Sequence, residues 1–227
     1  MPTIQSRALR VVHERTYPLS TSDFGPVVDE ITMADPDLVF ICSYLADSIG
    51  MVRAINDRGF RPKMVGGAMI GPQNTPVKTA LGALLNGFVS YDYWVPVPKM
   101  MFPGVREMID IDQTRAVAAG VDELGHYMAP LAYAQMQVLE QAVIATGSLD
   151  DAALSAHARG ANFNTVMGDV KFGESGEWAM PRVVQVQFQN VLGNTLEQFR
   201  GAEKQVVVAP NEFASGTLIY PYAAAKR

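Results

Sequence analysis

Few side chains in this sequence could carry a reaction. There are three histidines, His13, His126 and His157, and one cysteine, Cys42. The histidines lie far apart, and none has metal-ligand spacing with another. Ser43 lacks the G-x-S-x-G surroundings of a nucleophile elbow. Gly66-Gly67-Ala68-Met69-Ile70-Gly71 departs from the G-x-G-x-x-G dinucleotide fingerprint at its third position. Cys42 lies inside an apolar run and reads as a small buried residue, so neither a disulfide nor a metal cluster is expected. Asp29-Glu30 and Asp150-Asp151 read as solvated helix faces and caps. No catalytic residue, metal or cofactor is expected. What remains is recognition chemistry, carried by aromatic and small residues: Tyr44, the Gly67-Ala68-Met69 stretch, Tyr91, Tyr93 and Trp94.

The elements that must position these residues centre on Asp37 to Gly67. Leu38-Val39-Phe40-Ile41-Cys42 is an unbroken apolar run of strand length, which predicts a strand covered on both faces. Tyr44 follows at its end, and Asp47 or Ser48 can cap the next helix. Ile49, Val52 and Ile55 recur at helical spacing, Gly59 closes the helix, and Lys63 to Gly67 reads as a second strand. This is a βαβ unit. Ligands in open α/β sheets bind beyond the carboxyl ends of the strands, where Tyr44 and the Gly67-Ala68-Met69 turn both fall. Tyr91 and Tyr93 share one face of a β-like stretch, Gly87 to Pro96, and form either an aromatic ligand wall or core packing.

Around this unit, Val11 to Glu14 reads as a short strand, and Ser22 or Asp23 as the cap of a helix with Pro26 in its first turn. A helix is expected around Val77 to Leu85, a linker from Pro96 to Gly104, and helices over 105–119, 127–146 and 148–158. Leu131, Ala132, Val138, Leu139, Ala142 and Val143 form the apolar face of the long one. After Asn162 the pattern turns to strands over 166–172, 182–188 and 205–208. Alternation of Val184, Val186 and Phe188 with Gln185, Gln187 and Gln189 predicts one wet face. The fold class is α/β. The chain has 227 residues and a net charge of −5, without a basic stripe, which argues against nucleic acid as a partner. No stretch approaches the ~20 apolar residues of a membrane span. The opening MPTIQSRALRVV lacks a signal-peptide h-region.

Several stretches carry a family resemblance: YPLSTSDF, DLVFICSYLAD, MVGGAMIG, NTVMGDVKFGESGEW, RVVQVQFQ and LIYPY. In this order the chain resembles the type I periplasmic solute-binding proteins, in the subclass serving branched-chain amino acid and amide ABC transporters. The likeness runs from about Val11 to Tyr222. It implies two α/β lobes closing on a small solute at a hinge, of which this chain has only the later part. Residues 1–96 correspond to most of the second lobe, 97–104 to a crossover linker, 105–172 to a fragment of the first lobe, and 173–227 to hairpins returning to the second lobe.

The same resemblance implies a solute site at Tyr44, Ser43, Gly67, Ala68, Met69, Tyr91 and Tyr127. Tyr44 matches an aromatic ligand contact, which is favoured over a tyrosine that merely caps the sheet edge. Ala68 matches a position where amino-acid binders carry a carboxylate for the ligand ammonium, so an aromatic acid, an amide or another small apolar solute also fits. The partners implied are a small organic solute and an ABC permease. The location implied is the periplasm, or the cytoplasm if Met1 is the natural start. An apolar helix lacking its sheet predicts a homodimer or an element swap. The alternatives are a ligand-sensing or shortened relative with no transport role and, from another class, a nucleotide-dependent oxidoreductase, which a titration with NAD would reveal.

Overall fold

The computed structural model describes residues 6–226. Its frame is a five-stranded mixed sheet. Strand β1 (Leu38–Ser43) pairs in parallel with β2 (Met64–Met69), in register from Leu38 opposite Met64 to Ser43 opposite Met69. β2 pairs in parallel with β3 (Val89–Asp92). Two later strands, β6 (Val184–Phe188) and β7 (Gln205–Ala209), extend the sheet antiparallel, giving the order β1-β2-β3-β6-β7. A separate hairpin joins β4 (Asn162–Thr165) to β5 (Gly168–Lys171).

Helix α1 (Gly25–Met33) carries Pro26 in its first turn, and the Asp23 carboxylate accepts the Gly25 N–H at 2.8 Å. Helix α2 (Leu45–Asp57) starts earlier than a cap at Asp47 or Ser48 would place it. Asp47 instead lies in the first turn and accepts the Tyr44 N–H at 3.2 Å. Val28 of α1 and Met51, Val52 and Ile55 of α2 pack with Val39, Ile41, Val65 and Met69 in one core cluster. Gly59, with φ of 62°, lies just beyond α2 in the left-handed region that ends helices.

The stretch read as a turn at Gly67-Ala68-Met69 belongs to β2, and the turn comes one step later at Gly71–Gln73. Gly66 has φ of 136°, and a Cβ there would lie 1.7 Å from the Val89 carbonyl oxygen. Only glycine lets β3 approach so closely.

Several expectations fail, each for a physical reason. Val11 to Glu14 forms no strand. The segment is held instead by Tyr17, whose hydroxyl donates to the Cys42 carbonyl at 3.2 Å and whose ring packs edge-on against Phe24. β1 is therefore an edge strand, and its residues alternate between exposed and buried. Cys42 is accordingly an exposed free thiol, not a core residue. The strand expected from Val166 splits into a hairpin, because Thr165 Oγ1 donates to the Gly168 carbonyl and accepts the Met167 N–H, closing a tight turn. The wet face expected of the glutamines is largely absent: Gln187 in β6 and Gln189 just beyond it are buried and hydrogen-bonded, and Gln185 alone is partly exposed.

Helix α3 (Thr75–Leu81) follows the turn after β2. Three further helices, α4 (Val105–Ala119), α5 (Ala129–Thr146) and α6 (Asp151–Gly160), fill the middle of the chain. The expected linker is packed, with Trp94, Val97 and Met100 joining Val105, Val166, Val184 and Val207 in a second core cluster. The expected face of α5 is only partly covered. Ala142 is buried, Leu131, Val138 and Val143 are half-buried, and Ala132 and Leu139 are exposed. Tyr133, Met136 and Ile144 of α5 are exposed as well.

Candidate functional site

β1, β2 and β3 run in one direction, so their carboxyl ends share an edge. Tyr44 leaves β1 there. Its backbone is pinned by Asp47 and by the Ser48 N–H, which donates to its carbonyl at 2.9 Å, yet the residue is 63% exposed. Tyr91 on β3 meets Tyr93 edge-to-face, with ring centroids 5.8 Å apart. Gln73, in the turn after β2, donates from its side-chain amide to the Tyr91 carbonyl at 2.9 Å. The Tyr91 hydroxyl is shifted up, first by burial and then by Tyr93, with Tyr44 acting in the same sense. The touching Tyr91–Tyr93 pair and, separately, Tyr44 thus lie at the carboxyl ends of the strands, an aromatic shelf in two parts. Such rings offer apolar area with a polar tip.

The other sequence-derived site residues are placed differently. Ser43 is buried, and its hydroxyl shares a hydrogen bond of 2.8 Å with Ser48, which accepts the Gly71 N–H at 3.2 Å. Ser43 therefore organises the turn after β2 and does not face the shelf. Met69 is fully buried in the core. Gly67 lies within β2 under the Phe40 ring, and Ala68 is half-buried opposite Cys42. Tyr127 is half-buried and lines a small, partly open cavity with Gln73, Asp92 and Trp94.

That cavity contains groups that motif reasoning passes over. Asp92 ends β3 and is buried. One of its carboxylate oxygens accepts the Tyr93 N–H at 2.8 Å, and the other accepts the Gln205 amide at 2.7 Å. Burial pushes its carboxyl up to about 6, against the pull of Lys78 and these hydrogen bonds. His126 lies edge-on to Trp94, and burial together with the charge on Lys78 pushes it down to about 4. Lys78 is buried, and desolvation lowers its pKa. One signal was available: Lys78 falls on the buried stripe of α3 with Val77 and Leu81, where a lysine is out of place.

Among the described residues no group of three or more acidic, histidine or cysteine side chains could hold a metal. No described helix is long and apolar enough to cross a membrane. A larger open groove of about 880 Å³ runs along α4, lined by Phe102, Arg106, Glu107, Ile111 and Arg115, away from the strand ends.

Comparison with known proteins agrees with this geometry. The family model described as periplasmic binding protein matches residues 3–190. Leu/Ile/Val-binding protein homolog 8 of Brucella abortus (strain 2308) is 29% identical over 108 residues, covering 47% of this chain and 27% of the relative. Among solved structures, a putative branched-chain amino acid ABC transporter from Silicibacter pomeroyi superposes with a TM-score of 0.70 at 16% identity, over 96% of this chain and 55% of its own. A solute-binding protein of an ABC transporter from Rhodopseudomonas palustris HaA2, in complex with p-hydroxybenzoic acid, gives 0.65 at 18% identity, over 100% and 57%. The chain thus spans little more than half the length of these structures. The chain belongs to the periplasmic binding protein family.

Proposed function

We propose that this chain is a solute-binding component of an ABC importer, taking a branched-chain amino acid or a related small organic solute such as an aromatic acid or an amide. The observation that carries this reading is the shelf of Tyr44, Tyr91 and Tyr93 at the carboxyl ends of the parallel strands. Ala68 brings no carboxylate to this edge, which favours an aromatic acid over an α-amino acid. The relative solved with p-hydroxybenzoic acid supports the same preference. Tyr127 approaches from behind Gln73 and is the contribution of the segment before α5.

In this reading the chain binds and does not catalyse, works in the periplasm and delivers its solute to a permease. Residues 1–96 act as most of one lobe, 97–104 as the crossover, 105–172 as a fragment of the other lobe, and 173–227 as the return. The exposed Tyr133, Met136 and Ile144 of α5 and Ile111 and Val117 of α4 support a homodimer or an element swap that covers them.

Calorimetric titration with 4-hydroxybenzoate and with leucine tests the proposal. Saturable binding of the aromatic acid is expected, weakened about tenfold by Tyr91→Ala, as loss of one aromatic contact implies. Binding unaffected by Tyr44→Ala and Tyr91→Ala together would contradict the site.

A further inference from the structure

The cavity behind Gln73 is built from groups whose bonding is unfinished. Lys78 is 4% exposed, and among the described residues its ammonium makes no hydrogen bond or ion pair; it lies 5.8 Å over the Phe199 ring. The Nδ1 of His126 is sealed from solvent and has no partner. A sealed imidazole nitrogen costs free energy unless something donates to it, and the nearly buried Lys78 ammonium, whose nitrogen is not itself sealed, is short of acceptors. Asp92 is the nearby carboxylate; it accepts from the Tyr93 and Trp94 backbone and from Gln205, and keeps capacity for one further donor. These three side chains line one small, partly open cavity of about 10 Å³, the room that a single water needs.

We propose that this cavity is a hydration site, in which one immobilised water accepts from Lys78 and donates to His126 Nδ1 and Asp92. The water joins three elements: α3 through Lys78, β3 through Asp92, and the loop before α5 through His126. That loop also carries Tyr127 and is tied to α3 by the Asp122 carboxylate, which accepts the Thr75 N–H at 2.8 Å. The water therefore acts as a latch that holds Tyr127 against Gln73 and the end of β3. Only this consequence for Tyr127 rests on the proposed solute shelf; the hydration site itself does not. Water suits the cavity better than a small anion. Asp92 and Asp122 already face Lys78, so a further negative charge would lack a counterion.

A high-resolution crystal structure of the full chain, grown in bromide, tests the site. A water peak within hydrogen-bonding distance of Lys78 Nζ and His126 Nδ1, with no anomalous signal, is the expected result. An anomalous bromide peak would overturn it, and so would a direct Lys78–Asp92 ion pair with no density between. In solution, the native protein should show a long-lived water cross-peak to the His126 ring protons, lost in Lys78→Met. Persistence of that cross-peak in Lys78→Met would remove Lys78 from the site. Affinity for 4-hydroxybenzoate should fall about tenfold in Lys78→Met. If no solute binds at all, the shelf reading fails while the water result stands by itself.

Discussion

Strands β1 and β6 exchange the roles that their sequences suggest. Leu38-Val39-Phe40-Ile41-Cys42 is apolar throughout, yet it lies at the sheet edge with one face open, and Phe40 is 75% exposed. Val184-Gln185-Val186-Gln187-Phe188 alternates with polar residues, yet it runs between β3 and β7, and Gln187 is 1% exposed. Gln187 is sealed because it is fully bonded. Its amide donates to the Gly87 and Ile219 carbonyls, and its oxygen accepts the Ile219 N–H at 2.8 Å. Neighbours in space, and not the local pattern, decide which faces are wet.

This contrast predicts unequal responses to substitution. Gln187→Ala removes the partner of the half-buried Ile219 N–H and opens a cavity, and should cost about 2–4 kcal/mol in a urea melt. On the open face, Phe40→Ser should change stability by less than about 0.5 kcal/mol, the range of ordinary surface changes. Equal losses at the two sites would break the comparison, and would mean that something covers β1 in solution.

Buried charges beside the sealed half sharpen it through pH. Burial raises Asp92 from 3.8 to about 6, so the folded state takes up a proton before the unfolded chain does, and stability grows as pH falls from 6 towards 4. His126 is lowered from 6.5 to about 4, so the unfolded chain binds its proton first, and stability declines over the same window. The two slopes oppose one another. Asp92→Asn removes one of them and should lose stability more steeply between pH 6 and 4 than the parent chain. A slope that stays the same or turns shallower would contradict the assignment. The smallest effect to look for is chemical: Cys42 should react with a maleimide in the native chain nearly as fast as in urea, and protection would show that the open face is covered.

Much of the fold is legible in the chain. The βαβ unit, the stop at Gly59, the helices of the middle and the hairpins at the end all follow from period, capping and turn chemistry. What periodicity cannot carry is the cover of each face. Cys42 reads as buried because its neighbours are apolar, and nothing local says that β1 ends the sheet. Gly66 reads only as a residue of the second strand, although its role is to admit the Val89 carbonyl, a contact set by register. The site divides in the same way. Tyr44 and Tyr91 follow from strand ends, whereas the Lys78, Asp92 and His126 cavity joins residues that only the fold brings together. Ser43 and Met69 adjoin the shelf in sequence, but their side chains turn inward, as strand alternation requires.

The most direct test of where this molecule binds is amide shift mapping during titration with 4-hydroxybenzoate. The account predicts shifts concentrated at Tyr44, Gln73, Tyr91 and Tyr93, with smaller ones at Tyr127. Shifts confined to Met101, Arg106, Ile111 and Thr114 along α4, with the strand ends silent, would contradict it.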